Sequence, residues 1–124
     1  MAFTYQQSTG RFSRDGALIG IGYSGHGDGL NNPEMEAVHN EGPIPAGSWT
    51  IGGAHTDGPL GPMVMNLAPA PGFDALGRTA FRIHGDNDLL NHTASDGCII
   101  LGPQYRSQIA QAVAAGDTTL QVTA

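Results

Sequence analysis

The chain has one cysteine, Cys98, in the stretch 81–101, FRIHGDNDLLNHTASDGCIIL, with 13 residues between it and His84. A thiol is a weak nucleophile until it loses its proton, which for a free cysteine happens near a pKa of about 8.5. An imidazole beside it can take that proton or hold the thiolate as an ion pair. In Ala80-Phe81-Arg82-Ile83-His84, Phe81 and Ile83 fall on one face of a strand, with Arg82 and His84 on the other. On the far side, Cys98-Ile99-Ile100-Leu101 reads as a short core strand, and Ser95-Asp96-Gly97 is a turn that aims the thiol out of the sheet. The residues between can bring the two strands side by side. Taken alone, the pair reads better as a small buried thiol and an unrelated surface histidine, because free cysteine is among the most buried residue types.

The wider pattern is more specific. HGDN, followed after a short loop by ASDGCI, resembles the L,D-transpeptidase catalytic domain, in which a His-Gly pair precedes a Ser/Thr-x-Gly-Cys loop. The run GPIPAGSW at 42–49 is similar to that family's Pro-x-Gly-aromatic turn. Tyr23-Ser24-Gly25 with Asn31-Asn32-Pro33-Glu34 narrows the resemblance to type VI secretion L,D-transpeptidase effectors. These motifs span about residues 20–101. Two departures stand out: Asp96 occupies the place of a second histidine, and no Arg or Asn closely follows Cys98. A carboxylate beside a thiolate opposes its ionisation, so Asp96 is expected to point away from the sulfur or to orient His84.

The resemblance implies a cysteine enzyme that cuts the tetrapeptide stem of peptidoglycan, between its diamino acid and the terminal D-alanine, through a Cys98 thioester. Water as acceptor makes it an L,D-carboxypeptidase; a D-amino acid or a second stem makes it a transpeptidase. His84 is the expected general base and acid. The Gly85 carbonyl is expected to fix its tautomer, and Ser95 to orient the turn or the imidazole. Backbone N–H groups around Gly97 and Cys98 are the expected oxyanion donors, typically worth about 3 kcal/mol each. Expected substrate contacts are Arg82, which could hold a stem carboxylate through two parallel hydrogen bonds, with Asp96, Asn31, Asn32 and Tyr23. Arg78 is a weaker candidate for the task of Arg82. The same resemblance implies an antibacterial toxin carried by secretion machinery into a competitor's periplasm, with an immunity protein as partner.

Composition bounds the alternatives. The 124 residues carry a net charge of −6 with no lysine, which disfavours nucleic acid and excludes lysine-dependent mechanisms. One cysteine allows no internal disulfide and no multi-cysteine zinc site. His26, His39, His55 and His92 show no helical ligand spacing, and neither a metal nor a cofactor is expected. No stretch approaches the roughly 18 apolar residues of a membrane span, and residues 1–14 lack a basic start followed by an apolar run. The expectation is therefore synthesis in the cytoplasm without a signal peptide, no membrane insertion, and export by another route. Two other classes stay open: a noncatalytic cell-wall or partner-binding module with a structural cysteine, and a cytoplasmic cysteine amidase.

Nineteen glycines and eight prolines with only 13% charged residues suggest a turn-rich, mainly β protein. The expected fold is one domain over 1–124, a mixed sandwich or partial barrel of short strands with one C-terminal helix. Strands are expected at 2–7, between the turns at 8–10 and 14–16, at 18–23, 49–52, 63–67, 80–84, 98–101 and 118–123. The loop 25–47 is expected to hold one helical turn at 33–38 and to line a groove with Asn31, Asn32 and Glu34. Gly20-Ile21-Gly22-Tyr23-Ser24-Gly25 matches a dinucleotide-binding pattern, but HGDGLNNP cannot start the helix that pattern needs. Pro103 in the first turn, Tyr105, Ile109 and Val113 at helical spacing, and Gly116 at the cap predict the helix.

Overall fold

The structure is a computed structural model, which describes residues 2–58, 60–86, 95 and 97–124. Among the described residues ten strands and one α-helix follow in chain order: β1 (Phe3–Gln6), β2 (Arg11–Arg14), β3 (Ala17–Ile21), β4 (Tyr23–Ser24), β5 (Gly47–Ile51), β6 (His55–Asp57), β7 (Gly61–Pro69), β8 (Arg82–His84), β9 (Ile99–Ile100), α1 (Pro103–Ala114) and β10 (Thr119–Thr123). Apolar alternation builds the strands. Phe3 and Tyr5 of β1 are fully buried between exposed Thr4 and Gln6, and Leu120 and Val122 of β10 between exposed Thr119, Gln121 and Thr123.

The strands pair in the order β3-β2-β1-β10-β5-β7-β8-β9-β4, with β6 paired to β7 off this path. Among the described residues only β1–β10 and β8–β9 pair in parallel. The two ends of that path, β3 and β4, are separated in sequence by Gly22 alone. A sheet whose first and last strands are one residue apart must curl round on itself, and the molecule is a nearly closed, barrel-like sheet with a single C-terminal helix. The single strand expected over 18–23 therefore breaks at Gly22. There the backbone presses so closely on the Ile100 carbonyl that a β-carbon has no room. The loop after β4 carries two 3-10 turns, Gly27–Gly29 and Pro33–Met35, in place of the one helical turn expected at 33–38, and β6 was not anticipated.

The barrel interior is filled by Phe3, Tyr5, Phe12, Trp49, Ile51, Met65, Ile83, Ile99 and Leu120, all at most 1% exposed. Trp49 meets the ring edges of Phe73 and Phe81 at centroid distances of 5.4 and 4.9 Å, and its indole N–H donates to the Pro45 carbonyl at 3.0 Å. This cluster anchors the segment leading into β8. Helix α1 adds Ile109, Ala112 and Val113 to the core. It ends as the sequence suggests: the Asp117 N–H reaches the Ala112 carbonyl and the Gly116 N–H that of Val113, the paired bonds of a Schellman cap. Among the described residues no helix is long and apolar enough to cross a membrane.

Candidate active site

Strands β8 and β9 lie side by side in parallel register, Ile83 against Ile99 and His84 against Ile100. Ile83 and Ile99 are fully buried, so alternation sends Arg82, His84 and Cys98 to the opposite face. Extending the register one step sets Cys98 across from Arg82, with His84 two residues further along the neighbouring strand. At the strand spacing and rise of a sheet, the Cα atoms of Cys98 and His84 are then about 8 Å apart, a span that a thiol and an imidazole can close. Both side chains line one cleft of about 250 Å³, with Asn40, Leu60, Thr79, Ala80, Phe81, Arg82 and Gly97. Cys98 is partly exposed, and its Sγ lies 3.6 Å from the Ala80 carbonyl oxygen.

His84 is 3% exposed, and its Nδ1 lies 2.7 Å from the carbonyl oxygen of Gly85. A carbonyl only accepts, so Nδ1 carries the proton and Nε2 presents its lone pair. Burial pushes the imidazole pKa below its ordinary value. The Gly85 carbonyl works against this, and the Arg106 and Arg82 guanidinium charges add to it. Burial and the two guanidinium charges thus favour the neutral imidazole. Arg106 is buried behind Gly85, where it donates from Nε to the Leu101 carbonyl at 3.0 Å and from Nη1 to that of Pro62 at 2.8 Å.

The turn carrying Cys98 is clamped at several points. The fully buried Ser95 hydroxyl donates to the Cys98 carbonyl at 2.5 Å and accepts the N–H groups of Gly25 at 2.9 Å and Gly97 at 3.1 Å. Ser24, also fully buried, donates to the Gly97 carbonyl at 3.0 Å and accepts the Ile44 N–H at 2.8 Å. The His26 Nδ1 sits 2.8 Å from the Ser95 carbonyl oxygen and so donates to it. Gly97 has φ +136°, and a β-carbon there would stand 2.5 Å from Arg78 Nη2 and 2.9 Å from the Phe81 ring, so only glycine fits. The Gly97 N–H, one of the expected oxyanion donors, points into the turn toward Ser95 Oγ.

The remaining expected residues separate. Arg82 joins the Cys98 cleft, but Tyr23 and Asn31 line a different and larger cavity of about 680 Å³ together with Gly85, Asp86, Ile100, Pro103 and Arg106. There the Tyr23 hydroxyl donates to Asp86 at 2.6 Å, and Asn31 Oδ1 accepts the Ser24 N–H at 3.2 Å. The side chain of Asn32 caps the 3-10 turn Pro33–Met35 by accepting the Glu34 N–H at 3.1 Å, and its Nδ2 donates to the Asp28 carbonyl. The long loop supports the Cys98 turn through Gly25 and His26 and lends Asn40 to the cleft, while Asn31 and Asn32 satisfy local backbone groups. Asp96 and His92 lie outside the described residues.

Sequence reasoning used Ser24 only as part of the family resemblance, weighed His26 only as a metal ligand, and gave Arg78 only as a weaker candidate for the task of Arg82. Arg78 is instead 6% exposed. Its Nη1 donates to the carbonyls of Glu36 at 2.6 Å and Pro43 at 2.7 Å, its Nη2 to that of Gly42 at 2.9 Å, and the group stacks over Phe81 at 5.2 Å. No local pattern signals this, since its partners are 35 to 42 positions away.

No curated protein and no solved structure matches the chain. The family model described as the Tlde1 domain matches residues 20–123, from the end of β3 through the Cys98 turn and α1 to β10. The match includes every residue of the Cys98 cleft and of the clamps that hold its turn, so the chain belongs to the Tlde1 domain family, by name the domain of type VI secretion L,D-transpeptidase effectors.

Proposed function

We propose that this protein is a peptidoglycan-modifying cysteine enzyme that acts on tetrapeptide stems as an L,D-carboxypeptidase, an L,D-transpeptidase exchanging the terminal D-alanine, or both. The observation that carries the reading is the shared cleft of Cys98 and His84, with the His84 Nδ1 proton tied to the Gly85 carbonyl. Nε2 is thereby the basic nitrogen that can face the thiol.

In the proposed reaction, His84 Nε2 takes the Cys98 proton as the sulfur attacks the carbonyl preceding the terminal D-alanine. A tetrahedral oxyanion forms. Its collapse breaks the C–N bond, and His84 returns the proton to the departing amine, leaving a thioester on Cys98. Water or the amine of a D-amino acid, deprotonated by His84, then attacks the thioester and releases the thiol. Arg82, in the same cleft, is suited to a stem carboxylate, while Ser95 fixes the turn. The family also supports a role as an antibacterial effector exported by secretion machinery, acting in the periplasm of a target cell and neutralised in the producer by an immunity protein.

The test is mass spectrometry of tetrapeptide muropeptides incubated with the protein or with Cys98→Ala, with and without D-methionine. Loss or exchange of D-alanine with the intact thiol only is the expected result, and the acceptor is read from the product. Unchanged muropeptides with folded, reduced wild-type protein refute the proposal.

A further inference from the structure

Two features of Arg78 are unusual for a residue that does no more than pack. It is a cation held nearly out of water, and its guanidinium lies directly against the turn that presents the nucleophile. A β-carbon on Gly97, the residue before Cys98, would stand 2.5 Å from Nη2. The group cannot swing away, because carbonyls of three residues in the loop after β4 grip both terminal nitrogens and the Phe81 ring covers one face. These carbonyl contacts hold the guanidinium in place. A fixed positive charge against the turn that carries a thiol in a partly desolvated cleft favours the thiolate.

We infer that Arg78 is a positioning residue that acts through Cys98: its immobilised guanidinium lowers the proton affinity of the thiol while bracing the turn that carries it. This rests on the reading of Cys98 as the nucleophile and deepens it. The electrostatics agree in sign. Burial lowers the Arg78 pKa, and the interactions that oppose this are with Cys98 first and Glu36 second. By reciprocity, what favours charged Arg78 beside a thiolate favours the thiolate beside Arg78. The other charged or titratable groups facing the sulfur among the described residues are Arg82 and His84 of β8, which line the cleft. Glu36 carries the opposing charge from the loop, where its carboxylate accepts from Gln7 and the Ala46 N–H. A division of labour follows. Arg78 favours the ionised sulfur from behind the turn, easing transfer of the thiol proton to His84 Nε2, while Arg106 behind Gly85 disfavours the imidazolium so formed and favours its passing the proton on to the departing amine.

The test is the pH dependence of iodoacetamide alkylation of Cys98 in the wild type, Arg78→Gln and Arg78→Lys. Glutamine keeps donors for the carbonyls but has no charge, and is expected to raise the alkylation midpoint by about one pH unit, slowing the reaction near tenfold at pH values below both midpoints. Lysine keeps the charge and is expected to recover most of that shift. An unchanged midpoint in folded Arg78→Gln overturns the inference, because a purely structural role does not move it. If Arg78→Gln does not fold, the wild type decides by guanidinium 15N resonances. The Arg78 signal should titrate with the Cys98 midpoint and be flat in Cys98→Ser, and a flat signal in the wild type overturns the inference. Neither readout uses peptidoglycan, so failure of the muropeptide assay and failure of this inference are separate results.

Discussion

Replacing Ser95 by alanine tests whether the Cys98 turn is held by the bonds described. The hydroxyl joins three backbone groups: it donates to the Cys98 carbonyl and accepts from Gly25 and Gly97. Alanine removes the partner of all three where the side chain is fully buried. An unsatisfied buried polar group costs about 1–3 kcal/mol. Local relaxation and an admitted water place each at the low end, giving about 3 kcal/mol in total, a large part of the 5–15 kcal/mol typical of a whole domain. For a chain of this length that is a fall in melting temperature of about 10 °C. Urea unfolding followed by the fluorescence of Trp49, the sole tryptophan and a buried one, measures it directly. Ser8→Ala is the control: that exposed hydroxyl donates only to the Ala124 carbonyl, and its loss is expected to stay within about 0.5 kcal/mol. A Ser95→Ala effect no larger than the control would refute the account of the turn. If Ser95 instead served the imidazole, the variant would shift the pH profile of stem cleavage and leave stability nearly intact.

Two further expectations concern stability. Burial and nearby arginines lower the His84 pKa, while the unfolded chain binds that proton near pH 6.5. Just below that pH the unfolded state holds more protons than the folded one, so the contribution is complete above about pH 6.5 and is lost as pH falls through the folded-state pKa. Melting temperature should therefore drop on acidification from pH 7.5 to 5, and drop less in His84→Gln; equal slopes would remove His84 as the cause. The Tyr5 hydroxyl is buried with no hydrogen-bond partner among the described residues, and burial raises its pKa well above the usual phenol value. Tyr5→Phe is expected to stabilise by about 1 kcal/mol, seen as a higher urea midpoint, and a lower midpoint would mean that the hydroxyl has a partner.

The sequence by itself determined many of the local elements and singled out Cys98 and His84 as a candidate pair. Alternation in β1 and β10, apolar spacing in α1 and its glycine cap are nearest-neighbour effects, legible because each is set by residues a few positions apart. A lone thiol after Ser-x-Gly and a histidine ending an apolar strand were legible in the same way. Tertiary structure decided what those residues meet. The choice of a nearly closed barrel over a sandwich depends on β3 and β4 reaching opposite ends of the strand order across Gly22, which no local pattern encodes. The separation of Tyr23 and Asn31 from the Cys98 cleft follows from that closure, since β4 pairs on the far side of β9. The clamps on the turn join Ser24, His26 and Gly25 to residues about 70 positions later, and Arg78 to a loop some 40 positions earlier. Hydrogen bonds of that reach carry no sequence period, because the partners are chosen by the folded surface: a buried cation or hydroxyl must find acceptors wherever the fold brings them.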